Sequence, residues 1–211
     1  MLPRHLPGFL ATAAVSLSLV VGLGASAFAE GGKTDPVRVR GTIISFADKA
    51  LTVKTREGDT ANVTLAPNWK LSGVASADVA SIKPGDFVGI ASLPTESGGD
   101  GALEVVIFPP AMKGTGEGSR PWDLKPNSTM TNATVADAVT GVDGRTVTVS
   151  YRGGEKKIAI PEGTPVVTFA PATEADLKPG TAVFIIAEKA LDGRITADRI
   201  VVGTNGVVPP M

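Results

Sequence analysis

Ile82-Lys83-Pro84-Gly85 returns 95 positions later (178 − 83) as Leu177-Lys178-Pro179-Gly180. Proline presets the first central residue of a turn and glycine accepts the positive φ of the second. Each copy, running into a Val-rich stretch, therefore predicts a type II turn feeding a strand. The two corners mark the same point in two copies of one small unit.

Outward from the first corner the pattern is period two. Val37, Val39, Gly41 and Ile43 alternate with Arg38, Arg40 and Thr42, which predicts a half-buried strand. Ala47-Asp48-Lys49-Ala50 breaks it, and Leu51, Val53 and Thr55 alternate with Thr52, Lys54 and Arg56 in a second strand. Glu57-Gly58-Asp59 signals a hairpin into a third, with Ala61, Val63 and Leu65 facing inward. The periodicity stops after Pro67, and Ser76 to Ile82 reads as a short helix capped by Ser76 or Asp78. Phe87, Val88 and Ile90 give a fourth strand and Leu103 to Phe108 a fifth, closed by Pro109-Pro110.

The second half repeats this order. Ala133, Val135 and Val139 align 96 positions after Val37, Val39 and Ile43, and Asp143-Gly144 is a hairpin turn. Val147-Thr148-Val149 matches Leu51-Thr52-Val53, and Ile158 and Ile160 match Val63 and Leu65. Thr173 to Leu177 is the second short helix, followed by strands over Val183 to Ala187 and Ile195 to Val202. Five strands with a helical turn between the third and fourth is the order of a small Greek-key barrel of the OB type. A sandwich or an SH3-like barrel fits the helix position less well. The expected fold is thus all-β: two tandem five-stranded OB-like barrels, each with a short helix between strands 3 and 4. The expected boundaries are a signal peptide over 1–29, a disordered lead-in over 30–36, barrel 1 over 37–112 and a connector over 113–132. Barrel 2 covers 133–203 and a C-terminal tail 204–211.

Gly-x-Ile, then Leu-Thr-Val, then Leu-Lys-Pro-Gly-x-x-Val resembles exported bacterial domains of unknown function that occur singly or in tandem as small β-barrels. The resemblance covers Val37 to Phe108 and Ala133 to Val202 and lends no catalytic residues. Chains of this kind sometimes bear the label of a metal ABC transporter permease, but a permease needs several spanning helices and this sequence offers none beyond its N-terminal apolar run.

That run supplies the address. Arg4 precedes an apolar Leu10 to Leu23, and Ala27-Phe28-Ala29 has the small-x-small pattern of signal peptidase. A Sec-type signal cleaved before Glu30 is the reading, with an uncleaved anchor as the alternative; the mature protein is expected in the periplasm or outside the cell, with no membrane span. Cleavage would remove His5, the one histidine, and the chain has no Cys. Of 20 basic and 21 acidic residues only Arg4 would be lost, leaving 19 − 21 = −2, which disfavours nucleic acid as a partner.

The connector carries the most distinctive chemistry, Ser119-Arg120-Pro121-Trp122-Asp123. Arg120, Trp122 and Asp123 form a candidate recognition patch for a sugar, a peptide or a partner aromatic. The competing reading has Trp122 packed to fix the two barrels. Arg56 and Arg152 occupy matching outward positions on the second strand of each copy and are further binding candidates, against a role as solvated turn arginines. Glu96, Asp100 and Glu104 surround a Gly-rich turn without calcium-loop spacing, so they are weak metal candidates beside a plain solvated turn. Without His or Cys in the mature chain the usual nucleophile and base pairs are missing, and neither catalysis nor a cofactor is expected. The sequence points to an exported, non-enzymatic binding or interaction module whose partner is an unidentified envelope protein or glycan. The alternatives are an accessory or metal-handling protein of a transport system and, more weakly, a carboxylate-based hydrolase.

Overall fold

The computed structural model describes residues 34–96, 98–141 and 144–210. The expected signal peptide and Asp143 of the second hairpin turn lie outside them. The described residues are all-β. The strands are β1 (Thr34–Ala47), β2 (Ala50–Thr55), β3 (Thr60–Ser76), β4 (Phe87–Pro94), β5 (Asp100–Phe108) and β6 (Gly118–Pro121). They continue with β7 (Thr129–Gly141), β8 (Gly144–Tyr151), β9 (Gly154–Pro161), β10 (Val166–Ala170), β11 (Ala182–Ala190) and β12 (Ile195–Gly203).

The strands close into two five-membered rings, and each ring takes strands from both halves of the chain. In the first, β1 pairs β2, β2 pairs β3, β3 runs parallel to β12, β12 pairs β11, and β11 returns to β1. In the second, β7, β8, β9, β5 and β4 close in the same order, with β5 and β9 parallel. Residues 37–112 and 133–203 therefore do not each fold back on themselves; the fourth and fifth strands are exchanged. Alternating side chains fill each interior. Leu51, Val53, Val63, Ile185, Ile200 and Val202 lie in the first ring, and Val88, Ile90, Val105, Val147, Val149 and Ile158 in the second, all 0–1 % exposed. Burying each such side chain contributes about 1.5–3 kcal/mol.

The Lys-Pro-Gly corners hold the exchange in place. Asp86 N bonds Lys83 O at 3.1 Å and Gly85 has φ +92°, while Thr181 N bonds Lys178 O at 3.1 Å and Gly180 has φ +88°, as a type II turn requires. Each corner then grips the first strand of the other half. Gly85 N and Asp86 O bond Val135 at 2.8 Å each, and Gly180 N and Thr181 O bond Ile43 at 2.9 Å each. Ile82 is buried in the second ring's core and Leu177 in the first ring's.

This grip also corrects the alignment of the halves. Val135 stands where Ile43 does, an offset of 92 (135 − 43), whereas the corners keep 95. Both residues precede a bulge in the following pair of strands. Val139, expected inward at offset 96, is 58 % exposed. The β7–β8 hairpin is longer than β1–β2 beyond the bulge, so alignment from its tip slides β7 out of register.

Other expectations change at the edges. The two helices are single three-residue 3-10 turns, Val79–Ser81 and Glu174–Asp176. Asp78 Oδ1 accepts from Ala80 N at 2.7 Å, and Thr173 and Asp176 form a capping box. Thr34 to Pro36, expected in the lead-in, pair with β11. The connector ends early, because β7 begins at Thr129. β3 passes through Pro67 and runs 17 residues. Its partner β12 skips from Leu65 to Lys70, so Pro67 falls where no ladder N–H is needed.

That length, roughly 55 Å at strand rise, carries β3 out of the first ring to meet β10. Their antiparallel ladder sets Val74 opposite Phe169, its own counterpart at offset 95 (169 − 74). A pseudo-twofold axis passes there. Val74, Val106 and Val167 form a third cluster at this junction, packed by Phe108, Phe169 and Val201.

Candidate functional site

The connector folds back as a strap. β6 pairs β7, and Lys125-Pro126-Asn127-Ser128 makes a tight turn in which Ser128 N bonds Lys125 O at 3.1 Å and Asn127 has φ +63°. Ser128 Oγ sits 3.0 Å from Trp122 O, and Trp122 N bonds Ser128 O at 2.8 Å. Trp122 and Asp123 are thereby presented on a closed loop.

The loop is held against the first ring by arginines. Arg40 grips Asp123 with both Nη atoms, at 2.8 Å and 3.2 Å, a bidentate pair, and Arg38 Nη1 lies 3.5 Å away. Arg56 Nη2 donates to Asp123 O at 3.1 Å. Arg38 stacks 4.2 Å over the Trp122 ring, with Arg120 at 5.8 Å. Burial alone would raise the Asp123 carboxyl, but the Arg40 hydrogen bond and the charges of Arg40 and Arg38 outweigh it and hold it below the usual range. Arg120 is shifted down, first by burial and then by the charge of Arg38.

Of the five binding candidates, Arg120, Trp122, Asp123 and Arg56 come together. Arg152 does not join them. Its backbone N accepts no role in the patch and instead donates to Glu117 Oε1 at 2.9 Å, tying the strap to the second ring. Sequence reading missed Arg38 and Arg40, whose signal was the outward Arg-x-Arg of β1.

Beneath the strap lies a cavity of about 420 Å³. Gly116, Arg120 and Trp122 line it from the connector and Met112 from just before it; Val106 and Phe108 of the second ring, Phe184 and Val201 of the first and Phe169 of β10 complete the apolar wall; Lys70 and Arg199 stand at its exposed rim. Gly116 has φ +57°, which only glycine adopts readily, and a Cβ there would come 3.3 Å from Asn132 Nδ2. That amide is already in use, bonding Thr115 O at 3.0 Å and fixing the strap to β7. An apolar interior with a few polar groups in its lining is the usual make-up of a small-molecule site.

The acidic candidates disperse. Glu96 is exposed, Glu104 is buried on β5, and Asp100 pairs with Lys156 at 2.9 Å. Among the described residues no three His, Cys, Asp or Glu gather as metal ligands, and no helix is long and apolar enough to cross a membrane. Ser92 Oγ donates to Asp100 at 3.1 Å and Lys156 Nζ reaches Thr129 Oγ1 at 3.2 Å, so this polar set is closed on itself.

Comparison of the chain with family models, curated proteins and solved structures returned no match.

Proposed function

We propose that this chain is an exported, non-enzymatic binding module made of two OB-like barrels with exchanged strands, and that its ligand lies beneath the connector. The cavity of about 420 Å³ between the strap and both rings carries this reading. Its size suits a drug-sized or smaller molecule. The 1-2-3-5-4 ring order, with strands 3 and 5 parallel, supports the OB-like description. Arg4, the apolar run and Ala27-Phe28-Ala29 support export. The absence of Cys and of any His beyond His5 supports binding over catalysis. Trp122 then serves both earlier readings: it fixes the strap by stacking on Arg38, and it forms one wall of the site.

The test is a fluorescence titration of the exported form, residues 30–211, with N-phenyl-1-naphthylamine, a neutral apolar probe. One saturable site is expected, lost on Ser72→Phe, which fills the cavity from β3, while the melting temperature is unchanged. A probe signal that never saturates, or that survives in a folded Ser72→Phe variant, rejects the cavity as the binding site.

A further inference from the structure

The charge around the cavity is of one sign. Lys70, Arg120 and Arg199 are its only charged lining residues among those described. None of the three has a carboxylate within ion-pair distance among the described residues. Asp123, the acid beside Trp122, is already consumed by Arg40 and Arg38.

Two further observations mark an anion's place. Arg199 stands opposite Lys70 in the β12–β3 register, and like charges set opposite one another destabilise a sheet, a cost that a bound anion would lower. Arg120 spends Nη1 on Gly116 O at 2.8 Å and keeps further N–H donors of its fork. The cation at the rim is not a legacy of duplication either, since the counterpart of Arg199 at offset 95 (199 − 104) is Glu104.

We infer that the cavity takes an amphipathic anion, one apolar body ending in a carboxylate, sulfonate or phosphate, with the body on Val106, Phe108, Phe169 and Phe184 and the charged end among Lys70, Arg120 and Arg199. This rests on the cavity being the binding site. A single acyl or fused aromatic body suits the space; a two-tailed phospholipid does not.

The test compares two probes sharing a skeleton, N-phenyl-1-naphthylamine and its sulfonate 1-anilinonaphthalene-8-sulfonate, on the same exported form, residues 30–211. The sulfonate is expected to bind at least about tenfold tighter, with an affinity that falls as salt rises. Lys70→Met, Arg120→Met and Arg199→Met together should abolish that preference. Laurate should displace the sulfonate, and dodecyltrimethylammonium should not. Phosphatidylglycerol vesicles should fail to sediment the protein; sedimentation that laurate does not compete would replace the free amphiphile with a bilayer and overturn the inference. Equal affinity for the two probes would overturn it while leaving the binding site intact. Failure of both probes to bind would remove the site itself.

Discussion

Val37, Ala61, Ala187 and Ile195 of the first ring have Thr129, Lys156, Ser92 and Asp100 as their counterparts in the second. The offsets are 92 for the first pair (129 − 37) and 95 for the others, for example 156 − 61. In the first ring all four pack on the apolar core. In the second they form a hydrogen-bonded set: Lys156 to Asp100 and Thr129, and Ser92 to Asp100. The interiors beneath are otherwise alike, Leu51, Val53 and Val63 matching Val147, Val149 and Ile158. One ring end is closed by apolar packing and its twin by a polar network. The backbone accepts either, provided the network is complete, because a buried polar atom with a partner costs little and one without costs much.

The sharpest test of the correspondence is steric. A Cβ on Gly41 would lie 2.1 Å from Lys54 O, whereas its counterpart Ala133 already holds a fully buried methyl. Gly41→Ala should cost about 3 kcal/mol or more, and Ala133→Gly about 1 kcal/mol, in chemical denaturation. Equal losses would break the pairing of the two rings.

A smaller effect separates the two closures. Lys156→Ala alone leaves Asp100 half paired in a mostly buried position and should cost about 1–2 kcal/mol. Adding Thr129→Val, Ser92→Ala and Asp100→Ile rebuilds the first ring's set in the second, and stability should return to within about 1 kcal/mol of the parent. A fourfold variant less stable than Lys156→Ala would show that the rings are not interchangeable at these positions.

The smallest effect concerns how the strap is held. On the first ring Arg38 and Arg40 hold Asp123 by charge; their counterparts on the second, Met130 and Asn132, line the cavity instead. Because the Asp123 carboxyl is held below its ordinary value, its contribution is full above about pH 4 and is lost as pH falls through the depressed value. Asp123→Asn should destabilise the protein slightly at pH 6, by less than about 1 kcal/mol for a pair whose acid is half exposed. The two proteins should converge in acid. A gap that persists at pH 2 would assign the strap's hold to packing alone.

Much of this was legible from local chemistry. The corners, the in-and-out alternation of β1 and β2 and the element order follow from Pro, Gly and period-two patterning, and Trp122 stood out because a mere spacer has no use for it. What escaped was whatever depended on distant partners. β10 carries no alternation of its own to mark it off from a loop, and it is a strand because β3 and β5 flank it. Arg38 and Arg40 looked like solvated outer-face residues until the strap supplied Asp123. The slip of β7 arose because a longer hairpin leaves its tip a poor anchor for alignment.

The sequence alone determined that the chain is a β unit present twice, where its corners lie and which faces are apolar, because these depend on the φ limits of Pro and Gly and on side-chain alternation within a few residues. Only the tertiary structure decided which half closes which ring, and hence that a cavity opens between them. Either copy's fourth and fifth strands would satisfy the same backbone ladder, and the side chains that tell them apart, Ser92 and Asp100 against Thr129 and Lys156, meet only in the folded chain.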